Sequence, residues 1–349
     1  MKELHGGDIY RNQVDLDVSV NVNPLGMPER VKDALFQAVE HSVQYPDLQA
    51  EELRKKVSAW LQISEEGLLF GNGASELFLA IVHAVTPRKI LIPVPSFSGY
   101  EYAAKVEKTQ VEVYETRKEN GFTLQEDFLG QLTEDVGLVF LCNPNNPTGA
   151  CLDETLLRPI LVQCEKQQIV VVLDECFLEF VEGGHSMIYE MKICSNLIVV
   201  RAFTKICSIP GVRLGYAYCE NALLREKIRK QLPEWNISTF AQAAGVACVE
   251  EQAFFEETKY VVKKEREFLE RGLLEQGYQV FPGEANFLLL ESEKPLYEML
   301  LKKGILIRDC ANFRGLKKGY YRIAVKTRKE NERFLQTLKE LQEEENHGN

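Results

Sequence analysis

Positive charge is in short supply in this chain. Its 41 lysines and arginines face 52 aspartates and glutamates, a formal net charge of -11. With no basic surplus to neutralise a phosphate backbone, nucleic acid is not expected as a partner. A small anionic substrate remains open, because a local arginine cluster can outweigh a global negative charge. Long apolar runs are missing too. None comes near the length that spans a bilayer, so no membrane partner is expected. The first seven residues also lack the apolar core of a secretory signal. The nine cysteines are scattered singly, without a Cys-x-x-Cys pair or a His/Cys spacing that would hold a metal. Reduced thiols in a cytoplasmic protein are the expectation, most of them packing as small hydrophobes. There is no internal repeat and no low-complexity segment.

What is there has an ordinary globular balance, 45% hydrophobic and 27% charged. A length of 349 residues suffices for one large domain and a smaller one. Residues 1–27 are rich in Gly, Asn and Asp, show no helical period, and read as an arm joining the small domain. Helical periodicity appears at 28–41, with Val31, Leu35, Ala38 and Val39 on one face, then at 48–61 and 77–85. Strand-like runs at 89–94, 111–114, 137–141, 169–173, 196–200 and 212–219 alternate with helical patterns at 100–106, 124–132, 153–166 and 222–230. This alternation predicts an α/β domain over 28–245, its mostly parallel sheet covered on both faces. Ligands in such sheets sit beyond the carboxyl ends of the strands. A long helical region then runs to about 274. Short strands at 278–281, 286–290, 305–308 and 320–325, with helices at 296–301 and 330–341, predict a small α+β domain over 246–349. The polar tail from Glu343 is expected to fray.

Four motifs fall on strand ends or helix starts. Gly71-Asn72-Gly73-Ala74-Ser75-Glu76 opens a helix, where free backbone N–H groups attract an anion. It lacks the third glycine of a dinucleotide site and the Gly-Lys-Ser/Thr of a P-loop. Asn143-Pro144-Asn145-Asn146-Pro147-Thr148-Gly149 follows one strand, and Asp174-Glu175-Cys176-Phe177 follows another. Lys205 follows a third, with Arg213-Leu214-Gly215 beyond it. A lone lysine after a strand is usually a solvated one. A pyridoxal phosphate (PLP) site, however, needs a lysine for a Schiff base, an acid at the pyridine nitrogen, a phosphate cradle, a ring stack and a cation for the substrate carboxylate. Lys205 fits the first role, and Asp174, at a strand end, fits the second.

In order and spacing, over essentially the whole chain, these motifs resemble the fold-type I PLP enzymes of the class I/II aminotransferase group. The resemblance implies the aspartate aminotransferase fold, with a mostly parallel seven-stranded sheet in the large domain. It implies that Lys205 carries PLP and that Asp174 pairs with the ring nitrogen. Asn146 would meet the ring hydroxyl, Phe97 would stack on the ring, Ala74 and Ser75 would bind the phosphate with Arg213 alongside, and Thr204 would be a further cofactor contact. Tyr45 would reach the phosphate from a neighbouring subunit, making a homodimer with shared sites. Arg322 would clamp the substrate carboxylate. Two positions depart from the family pattern: Phe177 replaces a tyrosine that contacts the ring oxygen, and Ala202 replaces a Ser or Thr at the phosphate.

Two branches of the family are resembled. Tyr45-Pro46-Asp47 is similar to histidinol-phosphate aminotransferases. His5-Gly6-Gly7, residues 21–26 (Asn-Val-Asn-Pro-Leu-Gly), Pro233-Glu234-Trp235-Asn236 and residues 308–315 resemble the L-threonine-O-3-phosphate decarboxylases of cobalamin synthesis more closely. Both imply a phosphorylated substrate and a second anion site, for which Arg308 and Arg314 are candidates together with His5 and Asn23. Decarboxylation is the preferred expectation and transamination the second. The full residue set disfavours a module that binds PLP without turnover.

Overall fold

A computed structural model describes residues 6–348. The arm contributes a short strand, β1 (Leu16–Asp17), and leads into α1 (Glu29–His41) and α2 (Glu51–Leu61). Next come β2 (Leu68–Gly71), α3 (Ala74–Val85), β3 (Lys89–Val94), α4 (Gly99–Val106) and β4 (Gln110–Glu115). Then follow β5 (Leu138–Cys142), α5 (Glu154–Gln167), β6 (Val170–Asp174), β7 (Leu197–Ala202), the single turn α6 (Phe203–Ile206) and β8 (Gly215–Tyr218). A seven-stranded sheet has the order β2-β8-β7-β6-β5-β3-β4. Strands β3 to β7 pair in parallel, while β8 runs antiparallel to both β7 and β2. Every residue of β5, β6 and β7 is buried. That is why these segments read as unbroken apolar runs rather than alternating ones.

The topology gathers one edge of the sheet. β2 points the same way as β7, because both oppose β8. The carboxyl ends of β2, β3, β5, β6 and β7 therefore meet the amino end of β8. All four sequence motifs leave the sheet at that edge.

Some local expectations needed correction. β2 is missing from the sequence reading because four residues running into an apolar helix offer no separate period. Residues 124–132 form no α-helix; Glu126–Gln131 is a 3-10 run that buries only Phe128 and contains Gly130, a weak helix former. The strand expected at 212–219 starts only at Gly215, since Arg213 sits at φ +64. On α1, Val31 and Ala38 are buried, but Val39 and Phe36 are exposed.

After α7 (Ala222–Arg229) the long helical region divides into α8 (Thr239–Val249) and α9 (Gln252–Glu275). The expected boundary after residue 245 falls inside α8, which packs on α1 and α2 through Ala241, Ala244 and Cys248. The exchange between cores happens along α9 instead. Its Phe255 and Val262 join the main core, while Leu269 and Leu273 join a second one. Around that second core lie β9 (Gln279–Phe281), β10 (Phe287–Glu291), α10 (Leu296–Lys302), β11 (Ile305–Leu306), β12 (Arg308–Asp309), β13 (Tyr320–Ala324) and α11 (Arg328–Gly348). An antiparallel sheet has the order β12-β13-β10-β9, and β1 of the arm pairs in parallel with β11. Leu16 and Val18 of the arm are buried in this second core. The tail expected to fray is helical as far as Gly348. Among the described residues no helix is long and apolar enough to cross a membrane.

Candidate active site

At the gathered edge lies a cavity of about 240 Å³. Among the described residues, Lys205, Arg213, Arg308 and Arg322 line it as cations, against a single carboxylate, Asp174. Lys205 projects from α6, immediately after β7. Burial lowers its amine pKa to about 8, helped by the neighbouring guanidiniums of Arg322 and Arg213 and opposed by Cys176 and Asp174.

Asp174 ends β6 and is buried. Burial raises its carboxyl pKa, and hydrogen bonds from Cys176 and Tyr100 oppose the rise. Oδ1 accepts from the backbone N–H of Cys176 at 3.0 Å, and Oδ2 accepts from the Tyr100 hydroxyl at 2.5 Å. The carboxylate is thus braced from behind. Tyr100 was missed from sequence, where it looks like one more core residue of an amphipathic helix. Its ring stacks on Phe140 at 4.6 Å and meets Phe97 edge-on at 5.6 Å. One fully buried side chain therefore touches both Asp174 and the candidate ring-stacking phenylalanine.

Gly73, Ala74 and Ser75 open α3, whose first N–H groups have no partner within the helix. Gly73 sits at φ +76, and a Cβ there would meet Arg213 Nη2 at 2.3 Å. Only glycine lets that guanidinium lie against the helix start. Thr204 and Ala202 also line the cavity. Phe177 lines it as well and packs edge-on against Phe287, over whose ring the Arg322 guanidinium lies at 5.4 Å. Arg322 donates through Nη1 to Asn146 Oδ1 and through Nη2 to the Ser19 carbonyl, while its buried Nε has no partner among the described residues.

The remaining candidates separate. Arg308 lines the cavity, but Arg314 does not; it lies on the surface at 3.5 Å from Glu101. Asn23 is also outside the cavity wall, its amide bonded to Ile206 and Thr258. Asn21, two residues earlier, lines the cavity and has a buried Oδ1 without a partner among the described residues. Sequence alone did not distinguish these two asparagines. His5 lies outside the described residues. Tyr45 is 81% exposed, is not among the residues lining the cavity, and meets Trp235 at 4.9 Å with the rings tilted.

The donor set fits PLP. A buried amine of lowered pKa, a braced carboxylate, an aromatic ring and a helix start backed by a guanidinium are the groups that this cofactor's aldehyde, ring nitrogen, ring face and phosphate require. The fold and this donor set define a PLP-dependent enzyme of the aspartate aminotransferase fold.

Comparison with known proteins agrees. Residues 13–338 match the family described as aminotransferase class I and II. The threonine-phosphate decarboxylase of Salmonella typhimurium is 33% identical over 330 residues, covering 93% of this chain and 91% of that protein. The crystal structure of the histidinol-phosphate aminotransferase from Clostridium acetobutylicum superposes with a TM-score of 0.88 at 34% identity, covering 94% of this chain and 99% of that one. Aspartate aminotransferase from Thermus thermophilus, with maleate, shares the fold at a TM-score of 0.80 and 22% identity, covering 95% of this chain and 94% of that one. The chain belongs to the aminotransferase class I and II family, and PLP is its cofactor.

Tyr100 supplies a first prediction. In Tyr100→Phe, Asp174 Oδ2 loses its donor and the carboxyl pKa rises further, which would weaken the charge-based grip on the ring nitrogen that the family resemblance implies for Asp174. A hydrogen bond to a charged group is worth about 1.5–3 kcal/mol, so cofactor release should quicken by about 10- to 100-fold. Stopped dilution followed by absorbance measures this. An unchanged release rate would show that Asp174 does not depend on Tyr100.

Proposed function

We propose that this protein decarboxylates L-threonine O-3-phosphate to 1-amino-2-propanol O-phosphate. One observation carries the proposal. Arg308 and Arg322 are register partners across β12 and β13, and both line the cavity. Like charges opposed across a strand pair repel. Neither guanidinium is hydrogen-bonded to a carboxylate among the described residues: Arg308 donates to the Asp309 carbonyl and to Asn312 Oδ1. Such a pair suits a substrate that brings two anions of its own. Threonine phosphate has a carboxylate for Arg322 and a phosphate for Arg308, whereas histidinol phosphate has only the phosphate. Similarity to the Salmonella decarboxylase supports the same choice.

Lys205 would hold the cofactor covalently, with Asp174 at its ring nitrogen, Asn146 at its hydroxyl and Phe97 on its face. Ala74, Ser75, Thr204 and Arg213 would take its phosphate. Bound PLP supplies an electron sink for the pair left when a bond to the substrate's α-carbon breaks. Arg322 and Arg308 fix the substrate by its two ends and so choose which bond lies across that sink. In decarboxylation the carboxylate departs as carbon dioxide. The α-carbon then takes a proton, which Lys205 can deliver as a buried general acid. The exposed Tyr45, with Phe36, Val39 and Val43 nearby in sequence, supports a homodimer in which Tyr45 serves the partner's phosphate site.

The second reading is transamination of a phosphorylated amino acid such as histidinol phosphate, favoured by the likeness to the Clostridium structure. One experiment separates them. The protein is incubated with threonine phosphate alone, and separately with histidinol phosphate plus 2-oxoglutarate. Carbon dioxide released without an oxo acid is the expected result. Glutamate formed in the second mixture, with no carbon dioxide in the first, would make the protein an aminotransferase.

A further inference from the structure

α6, which carries Lys205, is a single turn of four residues. So short a helix is not stable alone, and its last carbonyls have no partner in a continuing helix. Two of them are met from the amino-terminal arm: that on Ile206, and that on Lys205, which also accepts from the Ser208 N–H at 3.2 Å. The backbone N–H of Asn23 donates to the Lys205 carbonyl at 3.0 Å. Its side-chain Nδ2 donates to the Ile206 carbonyl at 2.7 Å and to Thr258 Oγ1, on α9, at 2.8 Å. Asn23 Oδ1 accepts from the Leu25 N–H at 3.0 Å. Asn23 and Thr258 are both buried. Both amide hydrogens and the amide oxygen are committed internally, so this side chain has little left to offer a ligand. Four residues upstream, the Ser19 carbonyl accepts from Arg322. One short piece of arm thus touches the substrate arginine at one end and the lysine's turn at the other.

We propose that Asn23 is a positioning residue, a helix cap supplied by the arm that fixes the turn carrying Lys205 and ties it to α9. This rests on Lys205 being the cofactor lysine. Lys205 faces Arg322 from β13, Arg213 from the turn before β8, Asp174 from the end of β6 and Cys176 just beyond it. A loosened turn lets the amine leave that cationic field and reach water, so its pKa climbs back from about 8 towards the ordinary 10.5.

The test uses apoenzyme and holoenzyme of the full chain. Only the neutral amine attacks the aldehyde, so the pH dependence of PLP capture by apoenzyme reports the Lys205 amine. Asn23→Ala should move the capture midpoint up by about one unit. It should also lower kcat on the substrate that the protein turns over by about 10- to 100-fold, with KM changed less than about three-fold. Asn23→Ser, which keeps one donor, should fall between. A midpoint within about 0.2 unit of the parent and kcat within about two-fold, whatever happens to Tm, would leave Asn23 merely structural. A KM raised about ten-fold at unchanged kcat would mean that it touches substrate instead. Should Asn23→Ala not fold, Thr258→Val must give an upward midpoint shift, and none overturns the proposal. Capture by Lys205→Ala with an unchanged midpoint would overturn the assignment of Lys205 itself, and this proposal with it.

Discussion

Replacing Lys205 with alanine is expected to lower turnover by about 10⁴-fold and to abolish the visible band of lysine-bound cofactor. The amine's surroundings account for part of that size. A pKa lowered from 10.5 to about 8 leaves about 300 times more neutral amine at pH 7 than an ordinary lysine has. On the proposed reading, alanine removes both the nucleophile and the proton carrier. Lys205→Arg separates this chemistry from electrostatics. It keeps the cavity's positive charge but cannot deprotonate at working pH, so it should be as inactive as Lys205→Ala. If Lys205→Arg keeps more than about a tenth of parent turnover, the residue acts through charge and not as nucleophile and base.

The parts of this site that were legible in the sequence are those attached to strand ends. Asp174, Asn146 and Lys205 each follow a run of apolar residues buried on both faces, so period and position alone put them on one edge. Gly73 was legible as a helix start. Tyr100 was not, because its helix reads the same whether the hydroxyl meets a carboxylate or the side chain merely packs. Only the neighbouring β6 decides that. The two small-domain arginines illustrate the same limit. Arg308 and Arg314 lie six positions apart around one connection, and nothing local separates them. Pairing of β12 with β13 turns Arg308 into the cavity and leaves Arg314 at the surface beside Glu101. Asn21 and Asn23 share one face by the period of two in an extended chain. The chain turns at Asn23, where Oδ1 takes the Leu25 N–H, and the two amides part. β2 and the 3-10 run at Glu126–Gln131 escaped notice because segments this short are settled by their neighbours rather than by their own pattern.

Arg322→Lys should reduce kcat/KM by about 10²- to 10³-fold, chiefly through KM, although it conserves charge. Arg322 is buried, donates to two fixed acceptors, Asn146 Oδ1 and the Ser19 carbonyl, and lines the cavity. Burial brings its pKa down to about 10, which still leaves it charged at neutral pH. A lysine is a point donor on a shorter reach. It cannot satisfy Asn146 and Ser19 and also present two parallel N–H groups to a carboxylate. Each buried acceptor left without a donor costs about 1–3 kcal/mol. Arg322→Gln adds a different effect. The Arg322 charge is the second cause, after burial, of the lowered Lys205 pKa. Removing it raises that pKa, so a smaller fraction of amine is neutral at pH 7 and the midpoint of PLP capture by apoenzyme moves above 8. Arg322→Lys keeps the charge and should keep the midpoint. The two variants therefore divide Arg322's roles, both losing substrate affinity and only the glutamine shifting the titration. If both leave the midpoint unchanged, Arg322 does not set the Lys205 pKa. If Arg322→Lys binds substrate as well as the parent does, the fork geometry is not what holds the carboxylate.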